Sequence, residues 1–591
     1  MKTRTALLAV ICLVAASPCF SIGPRPQAGT EVLAGQTAHY FASRPDIIDV
    51  PPLAPTVRSA DVSTALVLLV DFDDMPAERD PAHFDELLFG EGVGTMRAYF
   101  EENSYGGFTV VGDVYGWFRS QCLHGNIVNR DRTAGTIDDF GLDSSPAAVD
   151  GSVCDIPLNI WGLVAHTVEL AAGEIDFSLY DNDGPDGVPN SGDDDGYVDA
   201  LLIVHSGIGA ELFGDPSRIW SLQSDLDKYG PTRGTSAQGI RIGPFVLVPE
   251  MGEIGVFAHE FCHLLGLPDL YNSETGASVV GSLCLMDNGA WNGPAYRPGS
   301  VPSHLCAPMK HVLGWVDPIE VCLGCDGVEA VEGAAIEPHG RSGHPYLILD
   351  NPGAMDWTPD GTGRGEYFML ENRQPAEGYF EACLPGSGLV VWRFDESRPD
   401  NNNPDRRLAE VVQADGQVVN PAFPETEDPR RHVPGEPDDF WPGTLNKRDF
   451  TPLTDPASTL SGGRFSGVSV TSISRWPLNE IGADIRVGLP KKGVSYAFPN
   501  PHRLSDGSPM RIVFLPDPGP DTPHEGSFAV TIFDLEGNLI RNLDMPGEIL
   551  DDGTALWNGK DESGNRVEPG LYFYSATSSG QEATGLLGIK R

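Results

Sequence analysis

His259, Glu260 and His263 stand close together in a run that continues through Gly266 and Asp269 to Tyr271. Two histidines four apart on a helix leave the same face about one turn apart, so two imidazole nitrogens converge on one point. Such a pair suits a zinc ion, with Zn–N distances of about 2.0–2.1 Å. Glu260, beside the first histidine, can reach a water on the metal without ligating it, which is the position of a general base. Gly266 can end the helix in the left-handed region, turning the chain so that Asp269 returns as third ligand and the fourth position stays open. The chemistry implied is peptide-bond hydrolysis. The metal polarises the scissile carbonyl and acidifies water, and Glu260 carries the proton to the leaving amine. The plain competing reading is an accidental His-Glu-x-x-His on an ordinary helix; Gly266 and Asp269 weigh against it. Tyr271 is placed either to assist an oxyanion or simply to pack.

A second element follows at Gly281–Trp291, a tight-turn sequence with Met286 near its centre. A methionine turn below the metal forms an apolar floor in metzincin-type sites, although a lone methionine is more often core filler. Cys262 in the helix and Cys284 in this turn belong to two elements that must pack around one ion, so a disulfide between them is expected. Cys262 as a metal ligand is disfavoured, because it points away from the face shared by the two histidines. A third cluster runs from Tyr180 to Asp199. Asp181, Asp183, Asp195 and Asp199 alternate with glycine-forced turns, a pattern that suits calcium and its six to eight oxygens. Pro185 and a missing terminal Glu exclude an EF-hand; the plain alternative is a solvated acidic loop.

The elements that must position these residues read as an α/β unit. Ala65–Phe72 and Ala200–His205 are short apolar runs that suit buried strands, and Gly94–Glu102 and Ile160–Ala172 suit helices. The expected architecture is an α/β zincin-type, metzincin-like catalytic domain over residues 61–317. From 318 to 490, short β-rich pieces separated by Gly, Pro and Asp clusters predict a β-sandwich. Residues 491–591 predict a second, immunoglobulin-like sandwich.

The chain opens with a charged start, an apolar run from Ala6 to Ala16 and small residues ending near Ser21. That is the pattern of a secretory signal peptide over 1–21, followed by a linker or propeptide remnant over 22–60. The apolar run is too short for a permanent membrane span. Cys19 suggests a lipid anchor, but Pro18 occupies the position where a small residue should precede it. With 84 acidic against 39 basic residues the formal net charge is −45, which disfavours nucleic acids and anionic membranes as partners. Protein or peptide substrates fit better. Eight cysteines follow the signal segment, an even number that favours disulfides in an exported chain. Cys322-x-x-Cys325 lacks the companions of a zinc knuckle or redox motif and reads as structural.

With these residues in view, the chain resembles the immune inhibitor A family of secreted bacterial metalloproteases. The matching pieces are Val67–Phe72, Tyr99–Phe108, Gly116-Trp117, Asp195–Ala200 with His205-Ser206-Gly207, Ile219-Trp220-Ser221, Gly314-Trp315-Val316 and Leu370-Glu371-Asn372-Arg373. The resemblance spans about residues 61–490. It implies the same zinc triad with Asp as third ligand, and a β-sandwich after the catalytic domain; Cys262 departs from it where glycine is expected. The last hundred residues resemble the immunoglobulin-like repeat related to flagellar hook-capping proteins, through Pro499-Asn500-Pro501, Ile532–Gly537, Trp557–Asp561 and Pro569–Tyr574. That implies a sorting or surface-attachment module. Two rival functions remain: a silent, surface-anchored binding protein on a metalloprotease fold, and another zinc hydrolase such as a glycan deacetylase.

Overall fold

Ala65–Val70 is an unbroken apolar run, the composition of a strand covered on both faces. It forms the centre of β1 (Val62–Asp71), which pairs in parallel with β2 (Thr109–Arg119) and with β3 (Ala200–His205). The structure is a computed structural model and describes residues 62–590 apart from 129–140, 143–155, 185, 187, 229–231, 323–327, 329, 350–364, 418–433, 453, 489–494, 499–501, 504–508, 515–527, 544–547, 550–553 and 579–580. The expected signal segment 1–21 and the stretch 22–60 lie outside the described residues. Beyond β3 come β4 (Leu222–Asp225), the small hairpin β5 (Ser236–Ala237) and β6 (Ile240–Arg241), and β7 (Pro244–Pro249). Strand β7 extends the sheet in parallel and β4 closes it as an antiparallel edge, giving the order β2-β1-β3-β7-β4.

Alternation along β1 divides the apolar residues between two cores. Ala65, Val67 and Leu69 face one, shared with α1 (Pro81–Phe89), α2 (Met96–Asn103) and α5 (Ile254–Leu264). Leu66, Leu68 and Val70 face the other, shared with α3 (His124–Ile127) and α4 (Ile160–Ala171). Local chemistry sets the helix starts. Thr95 accepts from Ala98 N–H at 3.1 Å to cap α2, and Asn159 accepts from Gly162 N–H at 2.9 Å to cap α4. The short helix α6 (Ala307–Val312) completes this part of the chain.

Downstream, β8 (Ile319–Val321), β10 (Tyr346–Ile348), β11 (Glu366–Arg373), β12 (Gly388–Asp395) and β13 (Ala409–Val411) form a sheet in the order β13-β12-β11-β10-β8. A three-stranded sheet of β9 (Ala330–Ile336), β16 (Val468–Arg475) and β17 (Ile481–Val487) faces it; the short β14 (Thr459–Leu460) and β15 (Arg464–Phe465) pair separately. The even residues Phe368 and Leu370 of β11 enter the core between these two sheets. Its odd residues Tyr367 and Met369 enter the same core as α5, together with Val390, Trp392 and Phe394 of β12. All eight residues of β11 are buried. One strand thus serves two cores, and the core around α5 runs across the change of composition at 317/318. Each large side chain on that shared face contributes about 1.5–3 kcal/mol of burial.

The C-terminal residues build a separate core between two sheets. One holds β18 (Ser495–Phe498), β20 (Met510–Phe514) and β23 (Thr554–Trp557). The other holds β19 (His502–Arg503), β21 (Ala529–Phe533), β22 (Leu539–Leu543), β24 (Gly570–Ser578) and β25 (Gln581–Lys590).

Because Tyr367, Met369 and Trp392 cover the α5 side of the first unit, a fragment of residues 62–317 should lose its cooperative thermal transition and bind a hydrophobic dye. A fragment that melts as sharply as the full chain would place the boundary at 317 after all.

Candidate metal centre and active site

Helix α5 carries His259, Glu260 and His263, and every one of its residues is buried. A surface helix would alternate; this one is apolar nearly all round because it is packed on β7 and β4 and against α2. Its first turn sits so close to the turn Asn288–Trp291 that a Cβ on Gly255 would meet the carbonyl oxygen of Ala290 at 2.0 Å. Its last turn ends as the sequence predicts. Gly266 adopts φ +88°, its N–H donates to the carbonyl of His263 at 3.0 Å, and Leu267 N–H donates to that of Cys262 at 3.1 Å. This paired closure is the Schellman arrangement. It also brings the Leu267 carbonyl to His263 Nδ1, at 2.7 Å.

The two rings are edge-to-face with centroids 4.9 Å apart. His259 Nδ1 lies 2.9 Å from the carbonyl of Leu285. A carbonyl can only accept, so each ring carries a proton on Nδ1, which leaves Nε2 as the ring atom available to a metal. Both Nε2 atoms face the carboxylate of Asp269. Its Oδ1 is 3.1 Å from His259 Nε2 and 3.5 Å from His263 Nε2. Three electron-rich atoms gathered in a buried place require a proton or a cation between them. Burial, the largest influence, pushes the His263 imidazole below its ordinary value, against its charging. Burial acts upward on Asp269, but the two histidines outweigh it and hold the carboxyl below its ordinary value.

Ligand atoms at 2.0–2.1 Å from a tetrahedral centre stand about 3.3 Å from one another. The separations of 3.1 and 3.5 Å bracket that figure. His259, His263 and Asp269 therefore fit a zinc-sized ion, with Glu260 wholly buried next to the first histidine. Tyr271 is buried beyond Asp269.

Met286 is buried in the same core, and its carbonyl accepts from Leu270 N–H at 2.8 Å, next to Asp269. The turn itself is held by Asp287, whose Oδ2 accepts from the N–H groups of Val279, Val280 and Gly281 at 2.8, 2.7 and 3.2 Å. The expected disulfide is corrected: Cys262 and Cys284 are both free, buried thiols. The sulfur of Cys284 is directed at Cys306 instead, accepting its N–H at 3.3 Å. Cys262 is not among the grouped ligands, and burial pushes its thiol up. Cys122 and Cys322 each belong to a disulfide; Cys154 and Cys325 lie outside the described residues.

The acidic loop comes together in part. Carboxylate oxygens of Asp181, Asp183 and Asp199 lie within 4.8 Å of one another. Asp181 is 1% exposed, and its Oδ2 has no hydrogen-bond partner among the described residues. Burial first, then the neighbouring carboxylates, pushes Asp199 up to about 7. Asp195 is a correction: it is not in this group, and its Oδ1 accepts from Tyr197 N–H at 2.9 Å.

Two residues that the motif reading did not single out reach the site from the β-rich unit. Arg373 is buried at the end of β11, donating from Nη1 to the Leu283 carbonyl at 2.7 Å and to Glu371 Oε1 at 3.0 Å. Its Nε donates to Glu381 Oε2 at 2.6 Å, and Glu371 Oε2 accepts from Ala307 N–H at 3.0 Å at the start of α6. Arg373 stood among the residues quoted for the family resemblance, so a signal existed. Asn401 donates to the Leu270 carbonyl at 2.6 Å, and nothing in its run of asparagines advertises that.

Residues 56–316 match the family model described as immune inhibitor A peptidase M6, catalytic domain. The match covers less than half of the chain, and this segment resembles a peptidase M6 catalytic domain. The pre-pro-metalloprotease PrtV of Vibrio cholerae serotype O1 is 28% identical to this chain over 268 residues, 39% of this chain and 27% of that protein. Immune inhibitor A of Bacillus thuringiensis subsp. alesti is 27% identical over 306 residues, 45% of this chain and 42% of that protein. The chain thus spans less than half the length of either relative. Among solved structures, PorZ of Porphyromonas gingivalis aligns at 18% identity over 21% of this chain and 15% of that one, with a TM-score of 0.14 too low to inform the fold. The matched peptidase M6 segment contains α5, the methionine turn and the acidic loop. It excludes Asn401 and Arg373.

Gly266→Ala places a Cβ at φ +88°. We expect a loss of about 1–2 kcal/mol in chemical denaturation, with metal retention weakened because Leu267 can no longer face His263. Unchanged stability would mean that the left-handed closure is not needed.

Proposed function

We propose that this chain is a secreted zinc-dependent endopeptidase that hydrolyses peptide bonds in extracellular proteins. The observation that carries the reading is the convergence of two imidazole Nε2 atoms on one buried carboxylate at 3.1 and 3.5 Å, beside Glu260, inside the segment that matches the peptidase M6 model. His259, His263 and Asp269 would hold the metal. When bound, zinc supplies Lewis acidity that polarises the scissile carbonyl and lowers the pKa of water. Glu260 accepts a proton from the attacking water and delivers it to the leaving nitrogen. The Leu285 and Leu267 carbonyls hold the ring orientations throughout, as partners of metal-bound histidines generally do. Secretion is supported by the charged, apolar and small-residue sequence of the N-terminus and by the disulfide-bonded Cys122 and Cys322. No helix among the described residues is long and apolar enough to cross a membrane. Attachment to a cell surface through residues 491–591 rests on their family resemblance.

Calcium is proposed as a second, structural ion at Asp181, Asp183 and Asp199. The buried, unsatisfied Oδ2 of Asp181 and the mutual crowding of the three carboxylates support it.

The deciding assay is casein hydrolysis by the full chain beside Glu260→Ala, with zinc content measured in both. Activity in the parent and a loss of at least about 100-fold in a zinc-loaded variant are expected. Zinc in both and activity in neither would favour a silent binding protein.

For calcium, the sign follows from Asp199. Raised from its ordinary value to about 7, its carboxyl keeps a proton in the ion-free folded state across a window where the unfolded chain has lost it. Ion-free stability therefore falls as pH rises from about 4 towards 7. Calcium must displace that proton, so its stabilising shift in melting temperature should be larger at pH 8 than at pH 5.5, at fixed ionic strength. A shift absent at both values removes the site.

A further inference from the structure

We infer that Asn401, supplied by the β-rich unit beyond the matched segment, is a positioning residue for Asp269. The inference rests on the zinc reading above. Asp269 lies beyond the end of α5, so the helix that sets the two histidines does not set the third ligand. Its position depends on how the next peptide groups are held. Leu270 N–H donates to the carbonyl of Met286 at 2.8 Å, which fixes the peptide joining 269 to 270. The Leu270 carbonyl accepts from Asn401 Nδ2 at 2.6 Å, which fixes the following peptide. Asn401 is wholly buried, and its Oδ1 accepts from Ala409 N–H at 2.9 Å, at the first residue of β13.

The base of the Asn401 loop is closed by Asp395 N–H to the Leu408 carbonyl at 2.8 Å and Leu408 N–H to the Asp400 carbonyl at 3.0 Å. The line of support therefore runs from the β12–β13 pair through one amide side chain to the residue beside the third ligand. Asn402, the next residue, serves a different place: its Oδ1 accepts from Ser273 N–H at 2.8 Å and from Ser273 Oγ at 3.1 Å. The Asn402 carbonyl also accepts from Asn272 Nδ2 at 3.1 Å, and of these contacts only that of Asn401 touches the backbone adjoining Asp269. A ligand held in advance binds its ion without a further ordering cost, and losing such outer partners typically weakens metal affinity by about 10–100-fold.

The test uses the full chain, with Zn²⁺ as the probe in chelator competition, well below the melting point of each metal-free protein. Asn401→Asp keeps the size and the acceptor for Ala409 but turns an oxygen towards the Leu270 carbonyl. Asn401→Ala removes both bonds and guards against a fold lost to a buried charge. Asn402→Ala loosens the same loop without touching Leu270. We expect zinc affinity to fall roughly 10–100-fold in either Asn401 variant, with the zinc-induced rise in melting temperature shrinking in parallel. Asn402→Ala should keep the parental affinity. Parental affinity in a folded Asn401 variant overturns the inference, as does an equal loss in Asn402→Ala, which would make the loop a general support. A parent that binds no zinc would instead overturn the zinc reading itself.

Discussion

The site depends on where two imidazole protons go. With the Nδ1 protons of His259 and His263 committed to the carbonyls of Leu285 and Leu267, both Nε2 atoms face the buried carboxylate of Asp269. Without those two carbonyls each ring could rotate or change tautomer, and the three donors would be a loose polar cluster. The two acceptors have different origins. Leu267 is brought round by the glycine turn that ends α5, whereas Leu285 arrives from the methionine turn, 26 residues along the chain.

That difference explains why so much structure surrounds one helix. The methionine turn is unlike a helix, which satisfies its own backbone; its N–H groups are gathered by the Asp287 carboxylate. Arg373 then fastens the preceding segment at Leu283 to a buried set of carboxylates on β11 and its neighbourhood. A buried arginine with two carboxylate partners costs much to desolvate, and removing one partner typically costs about 3–5 kcal/mol. Its value here is geometric, since a fixed guanidinium fork holds three chain segments in register. The shared core on the odd-numbered face of β11 supplies the apolar part of the same attachment. The matched peptidase segment and the β-rich unit that follows thus support one site.

How much was legible in the sequence follows from the range of the forces involved. The α5 motif, the glycine closure and the strands Ala65–Phe72 and Ala200–His205 depend on residues a few positions apart, and periodicity and turn chemistry report such interactions directly. The Cys262–Cys284 pairing did not hold, because shared membership of two packed elements does not say which way a sulfur points. Asp195 fell out of the acidic group for a similar reason: alternation identifies which side chains could meet but not which of them do. The change of composition at 317/318 marks where strand chemistry begins, while burial on both faces of β11 is decided by what lands on each face.

Local residue order was enough to set the helix, its end and the donor types, because those follow from local geometry and from the chemistry of His, Glu and Asp. The tertiary structure alone decided which carbonyl orients His259, that Cys262 and Cys284 stay apart, and which distant asparagine reaches Leu270. The first and last of these are contacts across 26 and 131 positions of chain. No local pattern encodes them, since the partner is chosen by how the sheets pack.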